Sequence, residues 1–248
     1  MRYLILSDIH SNLEALDAVL AEAPRDRFDR IIVLGDIVGY GADPNAVVER
    51  VRDLAPDVMI RGNHDKVSSG VESAEDFNTS ARFAAHWTQT TLTQENRDYL
   101  GSLPLGPLVV DSLIELCHGS PIDEDEYIFE PVDAIEAIRS ARCPICFYGH
   151  THVAIAYWLS ADQFDVIVPE PDESVTEIVL DPKRRYLVNP GSVGQPRDGD
   201  PRAAYATFDS DARIVRLHRV EYDIASAQQK IRDANLPEGL ARRLAVGK

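Results

Sequence analysis

Residues 2–10 read RYLILSDIH, in which the apolar run at 3–6 is closely followed by Asp8 and His10. Apolar side chains at consecutive positions are typical of a strand that is covered on both faces, as in the parallel sheets of α/β proteins. The run therefore predicts a buried first strand that carries two metal-ligand side chains to its carboxyl end. Ligands of α/β proteins bind at that edge of the sheet.

Four further segments of the same kind follow along the chain. They are Gly35-Asp36, Gly62-Asn63-His64-Asp65, His118-Gly119 and Gly149-His150-Thr151-His152, and most of them end an apolar run. Oxygen and imidazole ligands without thiolates suit Mn, Fe, Zn, Ni or Co. The set is too large for one tetrahedral ion, and it fits two divalent ions that share a carboxylate. Such two-metal sites commonly support attack on phosphorus.

The order of these five segments resembles the signature of the calcineurin-like metallophosphoesterases, which is DxH, GD, GNH[DE], H and GHxH. The resemblance covers roughly residues 1–210 and is greatest to the small single-domain members from bacteria and archaea. Those members share a late Asn-Pro-Gly-Ser turn, which is found here at residues 189–192. The resemblance implies an α/β fold, a four-layer α/β/β/α sandwich of two mixed sheets.

The pattern along the chain agrees with that architecture. Strands and helices alternate over the first 65 residues, with strands predicted at 3–7, 31–34 and 58–60 and helices at 12–22 and 44–54. Residues 72–103 are predicted to form a small helical insertion beside the metal-binding edge. The short strands after His152 predict a second sheet packed on the first. Residues 224–248 are predicted to be a helical tail, and residues 1–248 a single domain.

The resemblance implies a role for each motif. Two ligand sets share Asp36: Asp8, His10, Asp36 and His152 for one ion, and Asp36, Asn63, His118 and His150 for the other. A water or hydroxide activated by the metals is expected to attack phosphorus. His64 is expected to protonate the leaving group or to bind phosphate, which Asn63 also contacts. The expected reaction is hydrolysis of small phosphomonoesters, phosphodiesters or nucleotides.

The chain departs from the protein phosphatases of this superfamily after Asp36. Those enzymes continue as GDxxDRG, with an Asp that supports the catalytic histidine and an Arg that grips phosphate. Residues 35–41 read GDIVGYG and carry neither group. Asp65 is the adjacent carboxylate that remains as a candidate support for His64. The glycine-rich turn that ends at Arg197 is a candidate phosphate-binding element, because backbone N–H groups and an Arg fork both suit anions.

Other candidate features leave alternatives open. The aromatic residues Phe77, Trp87 and Tyr99 are candidates for a stacking surface. A non-catalytic metal-binding scaffold on the same fold is possible, as in the vacuolar-sorting subunit of retromer, but the complete ligand set disfavours it. A dinucleoside-polyphosphate hydrolase or a phosphoprotein phosphatase would share the metal centre. The pair Cys143 and Cys146 has redox-motif spacing, although burial as small apolar side chains is the simpler interpretation.

Composition limits the partners. The formal net charge of −16 disfavours general binding to nucleic acid, because the phosphate backbone would be repelled. No apolar run approaches the roughly 20 residues of a membrane span, and the N-terminal run is too short for a signal peptide. The sequence therefore predicts a cytoplasmic protein that does not bind membranes, and it leaves the oligomeric state undetermined.

Overall fold

Twelve strands form two six-stranded sheets in the computed structural model, which describes residues 1–248. The strands are β1 (Arg2–Leu6), β2 (Arg30–Val33), β3 (Val58–Met59), β4 (Leu108–Val109), β5 (Ile114–Leu116), β6 (Ile145–Phe147), β7 (Ala154–Leu159), β8 (Phe164–Ile167), β9 (Val175–Val179), β10 (Arg185–Pro190), β11 (Ala203–Asp209) and β12 (Ile214–Val220). The first sheet has the order β3-β2-β1-β11-β12-β9, and the second has the order β4-β5-β6-β10-β7-β8. Both sheets are mixed, since each combines parallel and antiparallel pairs.

Eight α-helices and one short 3₁₀ helix (Arg25–Arg27) connect and cover the strands. The α-helices are α1 (Leu13–Glu22), α2 (Pro44–Leu54), α3 (Asn63–Ser69), α4 (Thr79–Thr91), α5 (Gln94–Gly101), α6 (Pro131–Ser140), α7 (Ile224–Asp233) and α8 (Glu238–Leu244). Asn12 caps α1 by accepting a hydrogen bond from the backbone N–H of Ala15. None of these helices combines the length and the apolar character that crossing a bilayer requires.

Burial on both faces of β1 explains its apolar sequence. Tyr3 and Ile5 point between the two sheets, where the Tyr3 ring stacks on that of Phe208. Leu4 and Leu6 point the other way, into the cluster formed with α1 and α2. Residues 3–6 lie between a helical layer and a second sheet, where water does not reach, so they are all apolar, whereas Arg2 at the start of the strand is exposed.

Helices close the two outer faces of the sandwich. Helices α1 and α2 cover the first sheet, and α6 covers the second through Ala134, Ala137 and Ile138. The predicted α/β/β/α order of layers is therefore confirmed. The C-terminal helices α7 and α8 pack against α4 and the side chain of Tyr40, which brings the end of the chain beside the turn that follows β2.

The division of strands between the sheets differs from the sequence prediction. The strands after residue 152 do not form a sheet of their own, because β9, β11 and β12 extend the first sheet and β7, β8 and β10 extend the second. The expectation of a separate late sheet is therefore wrong. Consecutive strands usually lie side by side, but here β11 pairs with β1 and β10 pairs with β6. Alternating side chains define a strand and do not specify a partner from the other end of the chain.

The cysteines pack as small apolar side chains. All three are free thiols and are buried. Cys146 Sγ lies 3.4 Å from Cys117 Sγ in the cluster under α6, whereas Cys143 Sγ faces the backbone oxygen of Asp111. The two cysteines of the CxxC segment thus point to different neighbours, and burial raises the pKa of Cys117 well above its ordinary value. This environment agrees with the structural interpretation of these residues.

Candidate metal centre

The motif residues follow strands whose carboxyl ends meet at one edge of the sandwich. They are Asp8 and His10 after β1, Asp36 after β2, Asn63 after β3, His118 after β5, and His150 and His152 after β6. All except Asn63 are buried. Their Asp and His side chains form two groups that share Asp36, and the candidate ligand atoms within each group lie within 4.8 Å of one another. The structure therefore brings together all seven residues predicted as ligands.

The first group surrounds the Nε2 atom of His10. This atom lies 3.0 Å from His152 Nε2, 3.5 Å from Asp36 Oδ2 and 3.9 Å from Asp8 Oδ1. His152 Nε2 is 3.3 Å from the same Asp8 oxygen. Two imidazoles and two carboxylates thus converge, which is the number of ligands that a tetrahedral ion takes.

The second group surrounds the Nε2 atom of His118. It lies 3.4 Å from Asp36 Oδ2 and 3.3 Å from Asn63 Oδ1. The ring of His150 completes the group, with its centroid 4.9 Å from that of His118. One oxygen, Asp36 Oδ2, therefore faces a histidine from each group.

Backbone carbonyls orient all four candidate ligand histidines, three of them through Nδ1. The contacts are His10 Nδ1 to Val38 O at 3.0 Å, His118 Nδ1 to Leu34 O at 2.8 Å, and His152 Nδ1 to Gln195 O at 2.6 Å. Since a carbonyl only accepts, each Nδ1 carries a hydrogen, and each Nε2 is the atom that faces the cluster and offers a lone pair once the ring is neutral. His150 has the opposite orientation: its Nε2 donates to Asp125 O at 3.1 Å, which leaves Nδ1 as its ligand atom.

This donor set fits divalent metal ions. With both Nδ1 atoms protonated, the Nε2 atoms of His10 and His152 turn lone pairs toward each other at 3.0 Å, which is repulsive unless a cation lies between them. Asp8 and Asp36 place negative charge at the same point. Neutral imidazoles, carboxylates and one amide oxygen, without thiolates, form a set suited to first-row transition metals.

Burial and mutual charge set the ionisation of the cluster when no metal is bound. Burial raises the pKa of Asp8 to about 7. Burial also opposes ionisation of Asp36, but His118, His64 and His10 hold its pKa well below the ordinary value. At His118 the opposite balance holds, since the attraction of Asp36 outweighs burial and raises the pKa to about 10. Binding of a metal ion must therefore displace the proton that Asp36 retains on His118.

Most of the candidate ligands have a backbone conformation that side-chain-bearing residues rarely adopt. The positive φ angles are 52° at Asp8, 50° at His10, 50° at Asp36, 65° at His150 and 60° at His152. A left-handed residue other than glycine costs about 1–2 kcal/mol. Strain of this kind persists where the surrounding structure imposes it, and it concentrates at functional sites.

His64 lies among the ligands without joining either group. Its ring packs against those of His10, Tyr40 and Phe77, with centroid distances of 5.0, 4.3 and 4.6 Å. Its backbone N–H donates to Asp36 Oδ1 at 2.8 Å. The Nδ1 atom is buried without a hydrogen-bond partner, and burial lowers the pKa of the side chain to about 4.

No carboxylate orients the His64 ring. The Asp65 carboxylate points away from it and accepts hydrogen bonds from the backbone N–H groups of residues 37–38 and of Gly62. Gly39 stands where the GDxxDRG signature has its supporting Asp, and a Cβ at this position would overlap the His64 ring. Asp65 therefore supports the turn that carries Asp36, and the idea that it supports His64 is wrong.

Most backbone amides of the glycine-rich turn are already used within the protein. The N–H groups of Gly191, Val193, Gly194, Gln195 and Arg197 all donate to acceptors within the protein. Two of these acceptors are the backbone oxygens of Asp8 and His152. These five amides are therefore not available to an anion, and two of them instead hold the segments that carry the candidate ligands Asp8 and His152.

Arg197 itself reaches the edge of the centre. Its guanidinium lies 5.5 Å from the ring centre of Tyr40, the residue that stands where the GDxxDRG signature has its Arg. Its Nη2 donates to Gln195 Oε1 at 3.2 Å, and its Nε is buried without a hydrogen-bond partner. A guanidinium thus lies beside the cluster, although it comes from a different part of the chain.

Of the three aromatic residues selected in the insertion, only Phe77 reaches the centre. Trp87 packs with the C-terminal helices, and Tyr99 packs against the cluster under the first sheet. A stacking surface that includes Trp87 and Tyr99 is therefore excluded by their position.

Two aromatic residues that the sequence analysis did not select lie at the centre instead. Tyr127 stacks on His150 with a centroid distance of 3.8 Å, and the exposed Phe129 stacks on Tyr127 at 5.1 Å. Their loop is held by the buried Lys66, whose Nζ contacts Asp125 Oδ2 at 2.5 Å. The only sequence signal was their place shortly after His118, since an exposed aromatic pair in an acidic loop carries no pattern of its own.

Comparison with known proteins adds independent findings. The model of the calcineurin-like phosphoesterase superfamily domain matches residues 1–213. An uncharacterized protein of Methanocaldococcus jannaschii is 39% identical over 251 residues, covering 98% of this chain and 97% of that protein. Phosphodiesterase YfcE of Escherichia coli K12 is 25% identical over 224 residues, covering 87% and 91%. The crystal structure of a metallophosphoesterase from Sphaerobacter thermophilus is 46% identical, with a TM-score of 0.84 and coverage of 100% and 99%.

Proposed function

The chain belongs to the calcineurin-like phosphoesterase superfamily, and from this premise we propose that it hydrolyses phosphate esters at a centre of two divalent metal ions. The observation that carries the proposal is the position of Asp36 Oδ2, which lies 3.5 Å from His10 Nε2 and 3.4 Å from His118 Nε2. A carboxylate between two ligand groups is suited to bridging two ions. The similarity to a protein named as a phosphodiesterase agrees with this class of reaction.

The ions proposed for the two groups are divalent Mn, Fe, Zn, Ni or Co. One is held by Asp8, His10, Asp36 and His152, and the other by Asp36, Asn63, His118 and His150. When bound, two such ions supply Lewis acidity, which lowers the pKa of water and stabilises negative charge on phosphoryl oxygens. Asn63 contributes a neutral ligand, so Asp8 and Asp36 are the only anionic ligands. The loaded centre therefore carries net positive charge and attracts phosphate despite the acidic chain.

His64 is proposed to contact the phosphoryl group or the leaving-group oxygen. Its ring lies between the ligand His10 and the aromatic side chains of Tyr40 and Phe77, which exclude water from one side. The backbone N–H of His64 holds Asp36 Oδ1 and thereby leaves Oδ2 to face the two groups. His64 thus has two separate functions, because its main chain orients the bridging carboxylate and its side chain faces the substrate.

The leaving group is proposed to occupy the cavity beside the second metal group. This cavity has a volume of about 180 Å³ and is lined by Asn63, Phe77, Tyr127 and His150 among others. Faces of aromatic rings favour a flat apolar group, so aryl and nucleoside esters are the preferred substrate class. The insertion contributes Phe77 to this wall. We further propose that the insertion and the C-terminal tail belong to one domain with the sandwich, because α4, α7 and α8 pack together around Tyr40.

Metal-reconstituted hydrolysis tests the proposal. The chelated protein is reloaded with each ion in turn and is assayed with p-nitrophenyl phosphate and bis(p-nitrophenyl) phosphate, which separate monoesterase from diesterase activity. We expect no turnover of the chelated protein, recovery with added metal, and loss of turnover in Asp36→Asn. A protein that binds two ions and hydrolyses neither a mono- nor a diester would instead be the non-catalytic scaffold.

A further inference from the structure

The last helix of the chain brings a second arginine to the metal centre. Helix α8 packs on α7 and near Tyr40 through Leu240 and Leu244. This packing directs the half-buried Arg243 toward Gln195, and Arg243 Nη1 donates to Gln195 Oε1 at 3.1 Å. Arg197 donates to the same oxygen at 3.2 Å. Two guanidinium groups from distant segments therefore share one neutral acceptor.

Gln195 connects this pair of guanidinium groups to the first metal group. Its side chain is buried, and its backbone oxygen accepts the hydrogen bond from Nδ1 of the ligand His152. The backbone N–H of Arg197 in turn donates to the backbone oxygen of His152 at 3.1 Å. The arginine pair is thus held directly beside His152, one of the candidate ligands of the first group.

The charges of the pair are not balanced by the protein. Neither guanidinium lies within 4.0 Å of a carboxylate, although the chain has 41 acidic residues and only 25 basic ones. The Nε atom of Arg197 is buried without any hydrogen-bond partner. Burial and the neighbouring Arg197 also lower the pKa of Arg243. Two like charges held together in this way are stabilised when an anion lies between them.

Arg242 shows how an ordinary surface arginine behaves on the same helix. Its side chain is 78% exposed and pairs with Glu238 one turn earlier, at 3.5 Å. Arg243, the next residue, is turned inward and has no such partner. The contrast indicates that the inward position of Arg243 is not explained by surface charge pairing.

We infer that Arg197 and Arg243 form a binding site for a second phosphoryl group of the substrate, beside the phosphoryl group that lies on the metal ions. This inference rests on the proposed function and narrows it to esters that carry at least two phosphoryl groups. Two guanidinium forks provide enough donors for one phosphoryl group, which has three outer oxygens. Arg243 is then a specificity-determining residue supplied by the C-terminal helix.

A binding experiment tests this inference independently of turnover. The manganese-loaded protein is titrated by calorimetry with imidodiphosphate, which carries two phosphoryl groups and resists hydrolysis, and with inorganic phosphate. In Arg243→Gln we expect the ratio of imidodiphosphate to phosphate affinity to fall roughly tenfold, which is about the value of one hydrogen bond to a charged group. Arg243→Lys keeps the charge without the fork and should recover part of the ratio.

Arg242→Gln is the matched control, because it removes the neighbouring charge from the exposed face of the same helix. An unchanged ratio in Arg243→Gln, or an equal change in Arg242→Gln, would overturn the inference. Thermal unfolding of each variant establishes that the helix remains folded. If the wild-type protein hydrolysed no phosphate ester, the proposed function would fail, whereas the calorimetric ratio would still decide whether the arginine pair binds a second phosphoryl group.

Discussion

Replacement of Asp36 by asparagine should remove one metal ion and leave the other. Asp36 Oδ1 accepts the hydrogen bond from the backbone N–H of His64, which asparagine preserves by keeping its own oxygen there. The amide NH₂ then takes the place of Oδ2 and turns hydrogens toward both ligand groups. The first group retains Asp8, His10 and His152, whereas the second retains only neutral ligands, so the ion of the second group should be lost.

The size of the effect follows from the charge that is removed. Two unit charges 4 Å apart interact by about 4 kcal/mol at an effective dielectric constant near 20, and a divalent ion doubles this to about 8 kcal/mol. If desolvation offsets half of it, the second ion loses about 4 kcal/mol, which corresponds to roughly 10³-fold in affinity. A submicromolar site would thereby become millimolar and would not survive dialysis.

Elemental analysis after dialysis measures the stoichiometry, which should fall from close to two ions per chain to close to one. In the manganese-loaded protein, the electron paramagnetic resonance spectrum should change from that of a coupled pair to that of a single ion. Adding His150→Ala to Asp36→Asn should remove no further metal, while adding His152→Ala should remove the last ion. Retention of two tightly bound ions in Asp36→Asn would refute the bridging role.

Four further outcomes are expected. His64→Ala should keep both ions and lower kcat about 10²–10⁴-fold. If kcat falls more for alkyl phosphates than for p-nitrophenyl phosphate, His64 is a proton donor to the leaving group. If kcat falls equally for both substrates, His64 contacts the phosphoryl group. Tyr127→Ala should raise KM for aryl esters roughly fivefold relative to alkyl esters, because stacking contributes about 1 kcal/mol. An unchanged ratio of the two KM values would show that Tyr127 does not stack on the leaving group. Gly39→Ala should lower kcat and stability more than Gly199→Ala, since both have positive φ but only the first meets His64. Chelation of the metal should lower the melting temperature of the protein by several degrees. A ligand present at a free concentration of about 100 times its Kd stabilises the folded state by about 2.7 kcal/mol. An unchanged melting curve would show that metal binding is not coupled to folding.

The elements of the fold could be predicted because each is encoded locally. Continuous apolar runs defined β1 and β2, and the helix predicted at residues 44–54 has the bounds Pro44–Leu54 in the structure. The pairing of β11 with β1 and of β10 with β6 could not be predicted in this way. It depends on contacts between segments far apart in the chain, for which a single sequence gives no local signal.

The grouping of the candidate metal ligands was predictable for a related physical reason. Each ends a strand or follows one closely, so local sequence defines the strand and the position of the ligand in it. The residues that form the walls of the centre, Tyr127, Arg243 and Gly39, have no comparable signature. A glycine beside the histidine ring, an arginine in a C-terminal helix and a tyrosine in an acidic loop each resemble ordinary surface sequence until the fold brings them together.

The same distinction indicates where specificity arises in this protein. The strand ends that carry Asp8, Asp36 and His118 lie in two buried sheets, where a change would disturb the core, so the candidate metal centre is fixed by the fold. The Tyr127 loop and the C-terminal helix with Arg243 lie outside the sandwich, and they contact the centre through His150 and through Gln195 and Tyr40, respectively. Substitutions there change the side chains around a substrate at little cost to the core. The preference for a leaving group and for further phosphoryl groups is therefore expected to depend on these two peripheral segments. The hydrolytic chemistry is expected to depend on the residues at the sheet edge between them.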